Sequence, residues 1–205
     1  MTAWAAAALV ITALGVVALR RRTLAIYLVG LQSIVLGGVA LVAGVGHSTE
    51  LVLAGTALVV KGVALPGLLI LVVRSTPEPR LIVEERHAVS RLIVAVAFAG
   101  ALMLVLPTLG LADRLVQDTA AALVALGISV ALLRRAAVFH ALGFLVAENG
   151  VYTAAIGTAG GLPAVIEVGL IFDLVVVVAV AALFSRRIHT EFGTGDTARL
   201  RRIRD

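Results

Sequence analysis

The chain has 205 residues, of which 61% are hydrophobic, 14% charged and 4% aromatic, and its formal net charge is +5. A soluble domain is about 45–50% apolar and about a quarter charged, so this composition, with a mean hydropathy of +1.11, excludes one and reads as an integral membrane protein. With no cysteine, the chain cannot carry disulfides, iron–sulfur clusters or zinc–thiolate sites, and redox metal chemistry would have to sit on another chain.

A helix needs roughly 20 apolar residues to cross the hydrocarbon core. That ruler predicts an all-α, polytopic fold with seven spans, over 3–18, 23–45, 51–73, 92–111, 119–133, 136–158 and 163–185. The first span is an anchor and not a cleaved signal, because Arg20, Arg21 and Arg22 follow the apolar run and no basic residue precedes it. The fifth is the shortest. Between the third and fourth, Pro77 and Pro79 predict a turn, and 81–87 a helix leading into the fourth span. The organisation is a three-helix unit at 1–73, a linker with its helix and an outer loop at 74–118, a second three-helix unit at 119–185, and a basic tail at 186–205.

Basic residues set the orientation. Of the seventeen, fifteen arginines fall on one side of the seven-span arrangement, Arg114 falls on the other, and Lys61 lies within a span. The positive-inside rule then puts the N-terminus outside and the C-terminus in the cytoplasm of a cell-membrane protein. The arginines sit at the ends of apolar runs, so the high isoelectric point reflects topology and the lipid bilayer, and no nucleic-acid partner is expected. Solvated arginines account for the tail, which could also lie on anionic lipid or touch a cytoplasmic partner.

The two three-helix units read as a parallel repeat. Arg21–Arg22 and Arg134–Arg135 are each followed eight residues later by a glycine, Gly30 and Gly143. Lys61 precedes Arg74 by thirteen residues, as Asp173 precedes Arg186. Shared apolar composition offers the competing account of the likeness.

Ionisable residues inside spans cost about 2.5–3.5 kcal/mol each at the helix centre, so they are the informative ones. Lys61, Glu148 and Asp173 fall near mid-depth, as does the polar Gln32; Glu167 lies closer to the outer face, and His140 near the cytoplasmic end of the sixth span. Lys61 is the only lysine beside sixteen arginines. A desolvated lysine can shed its proton and an arginine cannot, which points to proton handling. A fixed ion pair with Asp173 or Glu148, holding helices together, is the other reading. Glu148, Asn149 and Gly150 could loosen the helix into a small polar pocket able to hold water, or the carboxyl could stay protonated and bonded to a neighbouring helix. Pro66 predicts a kink beside Lys61, with the Gly62 carbonyl freed. His140 has no second histidine or cysteine at ligand spacing, so no metal is expected. No nucleophile–base pair or phosphate loop is present, so no catalytic residue and no cofactor are assigned.

The run Gly143, Phe144, Glu148, Asn149, Gly150, Pro163, Glu167, Val168, Gly169 and Asp173, with Gln32, Ser33, Lys61 and Pro66 in the first half, resembles component E of hydrogenase-4-type complexes over about residues 20–188. The first three spans are also similar to the small K subunit of complex I, through Arg21, Arg22, Thr23, Leu24, Gly30, Leu31 and Gln32. In that subunit membrane carboxylates are expected where this chain has Gln32 and Lys61, so its mechanism does not carry over unchanged. The component E resemblance implies a non-catalytic subunit of a hydrogenase-type oxidoreductase complex. Its implied partners are antiporter-like and other membrane-arm subunits and a cytoplasmic hydrogenase-like module. Lys61, Glu148 and Asp173, with Glu167, His140 and Gln32, would serve a proton or sodium path. A structural spacer and a stand-alone small transporter are the competing classes.

Overall fold

The computed structural model describes residues 1–75, 88–105, 113–134 and 136–157, and among these the regular structure is entirely α-helical. The helices are α1 (Ala3–Ala18), α2 (Arg22–Gly44), α3 (Thr49–Ser75), α4 (Ala88–Val105), α5 (Arg114–Leu133) and α6 (Ala137–Ile156). The predicted seventh span, the helix over 81–87, Glu167, Asp173 and the basic tail lie outside the described residues. Among the described residues four helices, α2 to α5, are long and apolar enough to cross a membrane.

At the start of α5 the helix boundary follows capping chemistry more closely than hydropathy. Thr2 and Asp113 cap α1 and α5, each accepting a hydrogen bond from a first-turn amide, Ala5 N–H and Leu115 N–H. The cap explains why α5, predicted to begin at residue 119, starts at Arg114 and reaches 20 residues. Arg114, Gln117 and Asp118 are polar, so a hydropathy ruler stops short of them, yet their backbone is helical. The sequence reading also expected Gly150 to loosen the sixth span. Instead α6 is continuous, because Gly150 is packed tightly against Ala120 and Val124 of α5. Likewise α3 stays helical through Pro66 for all of its 27 residues.

Two antiparallel hairpins, α2–α3 and α5–α6, have the closest interhelical packing. Their shared device is glycine at the crossing. A Cβ on Gly37 would fall 2.8 Å from the Gly55 carbonyl oxygen, and one on Gly143 would fall 2.6 Å from that of Gly127. Side chains there would force the backbones apart, so small residues let the helices approach, as in membrane helix pairs generally. In the repeat reading α2 and α6 correspond, but their packed glycines face different neighbours: Gly30, Gly37 and Gly44 of α2 face the following helix, and Gly143 and Gly150 of α6 the preceding one. Gly46, at φ +77°, makes the α2–α3 turn.

α1 packs on α2 and α5, α4 packs on α5 and α1, and α6 closes on α2. The core between them is built from Leu9, Val16, Ile26, Leu36, Leu123, Leu126, Phe139, Leu142 and Leu145, all almost fully buried. At the arginine-bearing end, Arg134 is buried: its guanidinium lies 3.5 Å from the centre of the Phe139 ring, and Nη2 donates to the Leu19 carbonyl at 2.9 Å. A cation at the C-terminal end of α1 meets the negative end of that helix dipole.

Candidate functional site

Polar side chains from three helices, α2, α3 and α6, meet in the interior beside a backbone carbonyl of α1. Lys61, midway along α3, places Nζ 2.7 Å from Glu148 Oε2 on α6, with the two side chains 3% and 11% exposed. The α3 and α6 backbones are not closely packed. The contact therefore depends on the reach of two long side chains, and a shorter residue at either position would not make it. The Tyr152 ring, one turn beyond Glu148 on α6, has its centre 4.9 Å from Lys61 Nζ, within range of a cation–π interaction. Spacing i, i+4 puts Glu148 and Tyr152 on one face of the helix.

Beside the ion pair is an amide network. Asn149 Nδ2 donates to Gln32 Oε1 at 2.9 Å and to Ser33 Oγ at 3.2 Å, and Gln32 Nε2 donates to the Leu9 carbonyl at 2.9 Å. Thr153 Oγ1 donates to the Asn149 carbonyl at 2.7 Å. Asn149, Gln32 and Ser33 are all at most 2% exposed. Unpaired polar groups at such depth would cost about 1–3 kcal/mol each, so the network fixes α1, α2 and α6 in one register. Consecutive residues use this geometry well: Glu148 turns to α3 while Asn149 turns to α2, about 100° around the helix.

Of the residues singled out from sequence, Lys61, Glu148 and Gln32 come together. Among the described residues Lys61 pairs with Glu148, one of the two carboxylates predicted for it, and Asp173 lies outside those residues. His140 does not join them. It is exposed near the start of α6, with Nδ1 3.2 Å from the Ala136 carbonyl oxygen. Two turns of helix, about 12 Å, separate it from Glu148. Tyr152 escaped the sequence reading, although its i+4 spacing from Glu148 was a usable signal. The partnership of Asn149 with Gln32 and Ser33 spans over a hundred residues of chain and had no local signature. Among the described residues no three His, Asp or Glu side chains gather as a metal site.

A small cavity adjoins the pair. It is lined by Lys61, Ser33, Gly30, Val29 and Ile26, by Leu65, Pro66 and Leu69 on α3, and by Leu142 and Leu145 on α6. The space open to the centre of a water-sized sphere is about 10 Å³, which is room for about one water.

Comparison with known proteins adds one relative. An uncharacterised protein of Mycobacterium tuberculosis, Rv0085, is 33% identical over 84 residues, which is 41% of this chain. The match takes in 38% of that relative's length. No family model matches the chain, and no solved structure matches it.

Proposed function

We propose that this chain is a non-catalytic, multi-pass subunit of a hydrogenase-4-type, complex I-like assembly in the cell membrane, and that it contributes to proton or sodium translocation driven by redox chemistry on other subunits. The observation that supports the reading best is the Lys61–Glu148 pair, 2.7 Å apart and shielded from solvent midway along apolar helices. Buried ionisable pairs in apolar helix bundles are costly and mark ion pathways and proton relays. A lysine, which can pass on its proton, stands there in a chain that otherwise uses arginine. In this reading the chain has seven spans, an outer N-terminus and a cytoplasmic C-terminus. Asp173, Glu167, His140 and Gln32 are further members of the path. Its neighbours are antiporter-like subunits and a cytoplasmic hydrogenase-like module.

The spacer reading has an observation of its own. The pair adjoins a well-satisfied amide network joining α1, α2 and α6, the arrangement expected if buried charge only specifies helix pairing. Two measurements separate the readings. Affinity purification of the tagged chain from native membranes in mild detergent is expected to recover antiporter-like and hydrogenase-like subunits; recovery of the chain alone would end the complex-subunit reading. In an assembled complex, Lys61→Met is expected to abolish ion coupling while electron transfer continues. Coupling equal to wild type at equal assembly would leave the spacer.

A further inference from the structure

Gln32 bridges two helices, and what it meets at each fixes the direction of its amide. On α1 it meets the Leu9 carbonyl, which can only accept, so Nε2 has to face it, at 2.9 Å. Oε1 is thereby turned toward α6, where it needs a donor and receives Asn149 Nδ2, also at 2.9 Å. Ser33 Oγ accepts from the same Nδ2 at 3.2 Å, the longer of the two contacts. A carboxylate of similar length offers no donor, an ammonium no acceptor and a thioether no donor, so the bridge requires an amide. Gln32 and Asn149 are 1% and 0% exposed, and bulk solvent cannot replace either bond.

The bridge bears on the ion pair through the rigidity of α6. Asn149 follows Glu148 directly, about 100° around the helix, so a roll of α6 moves both side chains together. With the carboxylate about 6 Å from the helix axis, a roll of about 20° carries it about 2 Å, a large step against a contact of 2.7 Å. The Asn149–Gln32 bond resists such a roll, because it weakens once its 2.9 Å length grows by a few tenths of an ångström. Packing on α5 holds α6 by a different face: Gly150 meets Ala120 and Val124, and Glu148 lies about 200° around the helix from Gly150. We propose that Gln32 is the positioning residue of the ion pair: by fixing Asn149 it sets the rotation of α6 and so aims Glu148 at Lys61. The role deepens the ion-coupling reading, on which its functional meaning rests, but the geometry of the pair is measured without reference to ion translocation.

The sequence supplies a clean probe. Lys61 is the only lysine, so nitrogen-15 at the lysine Nζ yields a single ammonium resonance from the full-length chain in lipid. With glutamate carbon-13 labelled at the δ carboxyl, solid-state dipolar dephasing of that resonance reads the Lys61–Glu148 distance, and its loss in Glu148→Gln assigns it. Gln32→Met keeps the length and removes the amide; Gln32→Asn keeps the amide and shortens its reach. Dipolar coupling falls with the cube of distance, so each variant is expected to weaken it about threefold or more for a displacement of about 2 Å. Helical ellipticity equal to wild type shows that a variant is folded. A role in stability alone would leave the coupling of a folded variant unchanged; that result in either variant would overturn the proposal and leave packing on α5 to aim Glu148. Weakened dipolar coupling in a variant that still translocates ions would instead support the positioning role and refute the ion-coupling reading.

Discussion

Removing one member of the Lys61–Glu148 pair tests the central geometry most directly. At 2.7 Å and an effective dielectric of about 20, the Coulomb attraction is about 6 kcal/mol, most of it spent against the cost of taking both charges from water. Lys61→Met takes the ammonium from beside the Glu148 carboxylate, and Glu148→Gln takes the carboxylate from beside the Lys61 ammonium. Breaking a buried ion pair by removing one partner costs about 3–5 kcal/mol, so each single variant is expected to lose about that much. The double variant Lys61→Met, Glu148→Met removes both charges of the pair and fills similar volume, and is expected to recover most of the loss, giving a coupling energy of about 3 kcal/mol or more. Reversible unfolding in mixed detergent or bicelles, followed by helical ellipticity, measures all four proteins. A double variant as unstable as the sum of the singles would mean that the two side chains do not meet, and the site as described would fall.

Other expectations concern the frame that holds the pair. Gly37→Val is expected to destabilise by about 1–3 kcal/mol or more through overpacking against Gly55 and Val59. Gly38→Ala, where a Cβ meets nothing within 4 Å, is expected to be neutral or to stabilise by about 0.5–1 kcal/mol; the same unfolding assay compares them. Asn149→Leu strands Gln32 and Ser33 and is expected to cost about 2–4 kcal/mol, with Asn149→Gln failing to rescue because the longer side chain cannot occupy the same register. Asp113→Ala removes the α5 cap and is expected to cost about 1 kcal/mol, read as faster amide exchange confined to the first turn of α5.

Legibility from sequence differed by element for physical reasons. α1 is predicted at the bounds it occupies, 3–18, because apolar residues fill it from Ala3 and arginines follow it closely. The start of α5 was missed because its first turn is polar, and hydropathy cannot see a helix that begins outside the apolar band. Lys61 and Glu148 stood out because charge within an apolar run is costly wherever it falls, and cost marks residues one at a time. Their pairing was visible only as one of two choices, since distance in space leaves no trace in a single chain. Gly150 was misread for the related reason that a glycine which loosens a helix and one which lets a neighbour approach look alike until the neighbour is known. The Asn149 contacts to Gln32 and Ser33, and the cavity beside them, arise from three helices meeting and have no expression in any one of them.

The separation of the two charges along the chain imposes an order on synthesis. Lys61 and Glu148 are 87 residues apart, so at about 5–20 residues per second the lysine waits roughly 4–17 s for its partner to leave the ribosome. Gln32 and Ser33 wait longer still for Asn149. The α2–α3 hairpin can zip along its glycines at once, since both of its helices are already made. Until α6 arrives, however, that hairpin lacks the Glu148 carboxylate beside Lys61 and the Asn149 amide beside Gln32 and Ser33. Two adjacent residues, Glu148 and Asn149, thus complete both the ion pair and the amide network as α6 is made.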